Sequence, residues 1–542
     1  MVKENIICKS FFIQLLFFVG SIISYTNSSL SQYKLVLDST QVKTEFKDTL
    51  SINTFLNSKI EEIKLAGYPL AYITQAKWID SINFVSINKG KQYQIEISNL
   101  KEFKLKHGGD FRSTEKLIDN TLINYANNGY PFARVFFVPR KFINDSVCSG
   151  EIQVVKRDLF IIDSISIKGN FKTNLNIVKR VTGLRKGQVY SREDIENVSN
   201  NLRQCNFLKE LRGPDVYFSP KKALVVIYVE DVSNNELDGL VGINNDEQTG
   251  DLVITGNANI NLTNSLKYGE NIIFNWNKSQ VNTQTYYLET SVPYIANSNF
   301  GVTGNISNTR QDTIFSNTAW KAGITFKPKI NQTLELNVSS LMSVNLLLDD
   351  SDTNRTSSVL YYGFKYHNRT VDNWLNPRKG FEVEVLSDIG NKRFSTNERF
   401  IQYQLGFTGK AYIPLFKRQT LAIMTKNKFL ISEKLVENEF YLIGGTKTLR
   451  GFNEQTFLVS QYSIQTVEYR YILDERSNVF AFTDVGFIKT FDQDLIPFGF
   501  GAGINLGVKG GIINLAYALG KVSDNPILIR NSKIHFGFTS IF

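Results

Sequence analysis

Cysteine is nearly absent: three residues in 542, with Cys8 near the start and then Cys148 and Cys205. That excludes a disulfide framework, and the two later cysteines read as unpaired small hydrophobes rather than a bridge across two modules. Histidine is as scarce. His107, His367 and His535 stand far apart, which leaves no ligand set for a metal and no base for a His-dependent triad. No G-x-S-x-G, H-E-x-x-H or Cys-His arrangement appears, so the sequence offers no catalytic residues, no metal site and no cofactor site. GGTKT (Gly444–Thr448) looks superficially like a phosphate loop. Such a loop needs glycine directly before its lysine, whereas Thr446 precedes Lys447, and no helical pattern follows. Beyond the first thirty residues no apolar run approaches 18, and mean hydropathy is −0.17. A helical membrane bundle is therefore excluded. The net charge of +10 comes without basic runs, zinc-finger spacing or a recognition-helix pattern, so nucleic acid is not an expected partner.

Aromatic residues are abundant, at 13% of the chain, which argues against disorder. The beginning gives an address. Lys3 and Lys9 precede FFIQLLFFVGSII (Phe11–Ile23), and Ser29 and Ser31 stand before Gln32. A charged start, a short apolar run and small-x-small residues mark residues 1–31 as a secretory signal peptide.

The N-terminal half mixes helix and strand, and it repeats. G-Y-P-x-A occurs at Gly67 and again 62 residues later at Gly129, each time after a helical pattern. Glycine ends the helix and proline prevents its return. Two extended runs are expected after each copy: FVSINKG with YQIEISNL, then EIQVVKRD with FIIDSISIKGN. A third helical stretch, Ser191–Leu211, begins with a Ser191 cap and acidic residues in its first turn. These patterns predict tandem α+β modules of order β-α-α-β-β over 32–95 (degenerate), 96–158 and 159–235.

From about residue 236 the period changes to two. LVITGNANINL (Leu252–Leu262) and IQYQLGFTG (Ile401–Gly409) alternate cleanly. A soluble sandwich also alternates. The leader, the length of the stretch and the end KIHFGFTSIF favour a transmembrane barrel, and residues 236–542 have room for sixteen antiparallel strands. Within it, RGF (Arg450–Phe452) follows Gly444 and Gly445. In Gln465–Leu473 the alternation turns Glu468 and Arg470 into the lumen, and in Val479–Phe487 Asp484 shares a face with Phe482 and Gly486. Asp484 is thus a candidate bidentate partner for Arg450, with Glu468 beside it, and the glycines at 444, 445 and 451 let the loop turn.

With those residues in view, GGTKTLRGF resembles the arginine-glycine-aromatic loop of the BamA/TamA outer-membrane assembly family. FTDVG (Phe482–Gly486) is similar to that family's F-x-D-x-G strand motif. EYRY (Glu468–Tyr471), NPRKG (Asn376–Gly380) and terminal Phe542 also fit, and Leu449 stands where a valine-like residue is commoner. The resemblance covers nearly all of the chain after the leader. It implies POTRA modules in the periplasm, a sixteen-stranded barrel in the outer membrane of a Gram-negative-type cell, and Arg450 docked on Asp484. It further implies that client polypeptides are inserted or exported without covalent chemistry. The implied partners are unfolded outer-membrane or secreted clients, membrane lipid and a periplasm-spanning protein. Three modules fit the TamA-like branch; a two-partner secretion transporter is the alternative, and a passive channel or receptor leaves the modules unexplained. The barrel's first strand, near Leu237–Ile243, is expected to close against the last, near Lys533–Phe542. Gly239 and Gly242 weaken that seam, and Phe536, Phe538 and Phe542 form an aromatic terminal signal.

Overall fold

The computed structural model describes residues 34–37, 40–41, 46, 48–68, 70–79, 82–99, 111–245, 252–278, 283–311, 314–346, 356–522, 526–527 and 529–541. The expected signal peptide and Phe542 lie outside them. The chain divides into two units, residues 1–159 and 160–542.

The first unit holds two small mixed sheets. One runs Thr40–Gln41, Lys34–Leu37, Ile82–Asn88, Tyr72–Ile79, and the other runs Gln94–Ile97, Val147–Val155, Arg134–Asn144. Each is accompanied by a helix, Thr49–Leu65 and Phe111–Asn127. Asp48 caps the first helix by accepting from the Ser51 amide at 2.7 Å. Both helices end at the repeated glycines, Gly67 and Gly129, at φ +101° and +94°, a conformation that costs glycine nothing. Leu35, Ile52, Leu56 and Val85 fill the first core, and Ile95, Ile97, Val135 and Ile152 fill the second.

The extended runs pair differently from the expectation. Ile82–Asn88 pairs with Tyr72–Ile79 immediately before it, not with YQIEISNL after it. The strand in YQIEISNL, Gln94–Ile97, instead opens the second sheet, parallel to Val147–Val155. Parallel neighbours need a crossover, here the second helix. Tyr72–Ile79 escapes sequence reading because it is a largely exposed edge strand with no apolar alternation. Each of these sheets carries one helix among the described residues; the expected second one is seen in neither.

The second unit begins with the full β-α-α-β-β order: Ile161–Lys168, Leu175–Thr182, Arg192–Gln204, Leu208–Ser219 and Lys222–Asp231. Lys222–Asp231 lies centrally, parallel to the first strand and antiparallel to the fourth element. Ile162, Val178, Val198, Leu202, Val225 and Ile227 pack between the helices and the sheet. Ser191 caps its helix as expected, accepting from the Asp194 amide at 3.2 Å. That helix stops at Gln204 rather than Leu211, because Phe207 and Leu208 turn into the core to start a strand.

Residues 236–541 form a closed antiparallel barrel of sixteen strands, the fourteenth led by the short piece Asp494–Leu495. Alternation places apolar side chains such as Val302, Ile324, Leu336 and Tyr362 outward, exposed, and buries Glu335, Asp388, Glu468 and Asp484 inward. The first strand, Glu236–Asn245, pairs with the second over ten residues. It meets the last strand, Lys533–Ile541, at two register pairs, Glu236↔Ile541 and Leu237↔Ser540. The end of this module and the barrel are locked by Asp231, which accepts from the Lys172 amide at 2.9 Å and from Thr173 Oγ1 at 2.6 Å, while Asn264 Nδ2 donates to the same Thr173 Oγ1 at 2.7 Å. Gln204 Nε2 adds a bond to the Val371 carbonyl at 2.8 Å.

Candidate functional site

The long connection between strands Gln419–Ser432 and Gln461–Ile472 does not stay outside. Its stem hairpin, Tyr441–Ile443 with Phe457–Val459, carries a small apolar core. Ile443, Leu449, Phe457, Val459, Tyr462 and Ile464 bury one another, and the Phe452 ring packs edge-on to Phe457 at 5.2 Å. Leu449 is fully buried, so burial of that side chain aims the next residue at the wall. Gly444 and Gly445 make the turn into the tip. The Gly444 amide donates to Thr448 Oγ1 at 2.8 Å, and the Gly445 amide to the Leu449 carbonyl at 3.0 Å. Glu454 closes the tip by accepting from the Thr446 amide and hydroxyl, both at 2.8 Å.

Arg450 then meets two carboxylates on neighbouring strands. Its Nε donates to Asp484 Oδ2 at 2.8 Å and its Nη2 to Asp484 Oδ1 at 2.7 Å, a fork-on-fork contact. The Arg450 amide also donates to Asp484 Oδ2, at 3.1 Å. Nη1 donates to Glu468 Oε2 at 2.6 Å, and Arg470 Nε donates to the other oxygen of Glu468 at 2.7 Å. Thr466, the register partner of Asp484, donates to Oδ1 at 2.8 Å. The guanidinium lies 3.5 Å over the Phe482 ring. Side-chain exposures are 13% for Arg450, 5% for Glu468 and 1% for Asp484. Two cations balance two carboxylates and all four carboxylate oxygens accept a hydrogen bond, which is what a buried ionic cluster requires to be tolerated.

Two glycines, Gly499 on the wall and Gly451 in the loop, make this approach possible. At Gly499 an added Cβ would lie 2.0 Å from the Arg450 carbonyl oxygen. Gly451, at φ +91°, would put a Cβ 2.6 Å from the Leu519 carbonyl. The loop backbone therefore rests directly on strands fourteen and fifteen. Gly486 sits beneath Leu449 and Pro497.

The structure thus brings Gly444, Gly445, Arg450, Gly451, Phe452, Glu468, Phe482, Asp484 and Gly486 together. Gly239 and Gly242 lie elsewhere, on the first strand opposite Ala258 and Thr255. Phe536 and Phe538 stand exposed on the outer face of the last strand. Sequence reading missed Thr466 and Gly499. Thr466 shares the inward parity of Glu468, and Gly499, Gly501 and Gly503 alternate along one strand as a bare inner face, so both signals were present. Asn376, quoted above within NPRKG, proves to be a buried bridge. Its Nδ2 donates to the Asp474 and Ser477 carbonyls at 3.0 and 3.1 Å, and its Oδ1 accepts from Asn478 at 3.0 Å.

A cavity of about 540 Å³ opens beside the cluster, lined by Glu382, Lys410, Lys426, Arg450, Glu468 and Arg470. Among the described residues no group of three His, Cys, Asp or Glu side chains is placed to hold a metal. The arrangement is a latch: it fixes the loop against the inner wall of the barrel.

Residues 264–542 match the family model described as the Omp85 superfamily domain, and residues 160–231 match POTRA, a surface antigen variable number repeat. Among solved structures, CdiB from Acinetobacter baumannii is similar with a TM-score of 0.52 at 12% identity, over 91% of this chain and 97% of that one. CdiB from Escherichia coli gives 0.50 at 12% identity with the same coverage. BamA from Haemophilus ducreyi lacking POTRA domains 1–3 covers 83% of this chain and 99% of its own, at 15% identity and a TM-score of 0.44. At such identities these likenesses speak to fold. No curated protein matches the chain.

Proposed function

The chain belongs to the Omp85 superfamily, and on that premise we propose that it is an assembly factor of the TamA-like branch, which inserts client polypeptides into the outer membrane. Its barrel lies in the outer membrane and its POTRA modules in the periplasm, and proteins of this family insert or export other polypeptides. Removal of residues 1–31 and a division into three modules near residues 95 and 158 belong to the same proposal.

The observation that carries it is the seam. First and last strands share two register pairs, whereas the last strand shares eight with its other neighbour, from Gly511↔Ser540 to Ala518↔Lys533. Most of the first strand's outer edge therefore presents N–H and C=O groups that a client strand can pair with. The modules offer edges of the same kind, such as Arg134–Asn144 and Leu208–Ser219. Such pairing demands little of the client's sequence, and burial of the client's own apolar surface supplies the driving force. Nothing in this scheme requires covalent chemistry. In it, the Arg450 latch holds the loop in place while the seam works.

The test is a reversible lock. Leu237→Cys with Ser540→Cys places two thiols on register partners across the seam. In a strain depending on this chain, oxidation should deplete client barrels from the outer membrane, and reductant should restore them. Full assembly with the oxidised lock would refute lateral insertion. Loss of one secreted protein from the medium, with an unchanged outer-membrane proteome, would favour a two-partner secretion transporter instead.

A further inference from the structure

The Arg450 latch accounts for one foot of the lumen loop. A second, separate cluster holds its opposite stem. Glu439 sits in a single helical turn, Glu437–Glu439, that precedes the hairpin. Its carboxylate accepts from Lys392 Nζ at 2.6 Å and from Ser357 Oγ at 2.5 Å. Lys392 Nζ also donates to the Lys434 carbonyl at 3.0 Å, so one ammonium ties together both ends of the segment 434–439 that leads into the stem hairpin. Both charged side chains have 0% exposure. Beside them, Asn438 Nδ2 donates to Ser343 Oγ at 2.6 Å, Asn317 Nδ2 donates to the Asn438 carbonyl at 2.5 Å, and Ser343 donates to Asn317. Val436 is fully buried in the same place.

The wall residues of this cluster come from four consecutive strands. Asn317 lies on the sixth, Ser343 on the seventh, Ser357 on the eighth and Lys392 on the ninth, all toward the ends away from the module of residues 160–231. The Arg450 foot stands on strands twelve and thirteen, with the glycine wall of strands fourteen and fifteen behind it. The same loop is therefore fixed to two separate arcs of the barrel and crosses between them. A fully buried lysine–glutamate pair contributes little net stability in itself, but removing one partner is costly. Such a pair suits a contact that must be either fully made or fully broken.

We propose that Glu439 and Lys392 form a second anchor that holds the loop as a strut across the cell-exterior end of the lumen. The loop's place across the lumen is then a product of two feet, and releasing the second one opens a path that the Arg450 latch alone does not block. The inference concerns the purified barrel and does not depend on which client it serves.

Hydrogen exchange and planar-bilayer conductance of the full-length protein test it without any client. Glu439→Gln leaves Lys392 buried without a carboxylate, and exchange in residues 433–443 should rise about a hundredfold or more. Exchange in strands 461–489 should stay as in the wild type, and single-channel conductance should increase. Ser343→Ala removes a neutral contact and leaves no charge unpaired, so it keeps the test alive if the first variant does not fold; it should raise the same exchange about fivefold. Wild-type exchange in 433–443, or raised exchange with wild-type conductance, would overturn the proposal.

Discussion

Replacing Arg450 by alanine removes the four side-chain contacts described above and leaves the two carboxylates unequal. Glu468 keeps Arg470 at 2.7 Å. Asp484 keeps Thr466 and loses the guanidinium fork while remaining buried. An uncompensated buried charge of this kind costs roughly 3–5 kcal/mol, about 160- to 4,700-fold in the equilibrium between docked and undocked loop. Asp484→Ala should cost less, roughly 2–3 kcal/mol, because Arg450 retains its 2.6 Å contact to Glu468. The double variant should fall well short of the sum, since the carboxylate orphaned by the first change is gone in the second. Limited trypsin cleavage after the exposed Lys447 reports the undocked population directly when opening is fast relative to cutting. The expected order of cleavage rates is wild type, then Asp484→Ala, then Arg450→Ala. Complementation should fall in the same order while the barrel stays folded. Wild-type cleavage rates and full complementation by both single variants would refute the latch.

Other outcomes follow from different contacts. Gly499→Ala should lift the loop without touching any charge, because its Cβ would sit 2.0 Å from the Arg450 carbonyl; overpacking of this size costs about 1–3 kcal/mol and should appear as faster trypsin cleavage at Lys447. Burial alone would raise the Asp231 carboxyl, but hydrogen bonds from Thr173 and the Lys172 amide outweigh it and hold the group below its usual range. The module–barrel joint should therefore keep this contribution above the ordinary aspartate value of 3.8 and lose it as pH falls through the lower folded value, seen as faster exchange at residues 172–174. Burial pushes the Cys205 thiol up to about 11, so a thiol reagent at neutral pH should label the half-buried Cys148 and leave Cys205 unmodified until the module unfolds.

Much of this architecture was legible because side-chain parity is a strict code in a barrel. Once Val467, Tyr469 and Tyr471 face lipid, Glu468 has nowhere to point but inward, and the same holds for Asp484 between Thr483 and Val485. A loop arginine flanked by glycines, with two inward carboxylates nearby in sequence, leaves few ways to satisfy all three. The helix ends at Gly67 and Gly129 were equally readable, since only the local backbone decides them. Strand pairing in the modules was not. Gln94–Ile97 finds its partner some fifty residues away, and nothing in the run itself distinguishes that choice from a hairpin with its neighbour. Glu439 and Lys392 were invisible for a related reason. Both look like ordinary surface charges, and their burial arises from a loop folding back on four strands at once.

The bare glycine face of strand fourteen has a consequence for how this barrel can vary. A methyl group at Gly499 would occupy the space of the Arg450 carbonyl, so the identity of the loop is policed from a distance by residues that bear no functional group. Drift in the arginine motif would be noticed at once, through lost charge pairing; drift in the wall would do the same damage silently, leaving every recognisable motif intact in a barrel whose loop no longer seats.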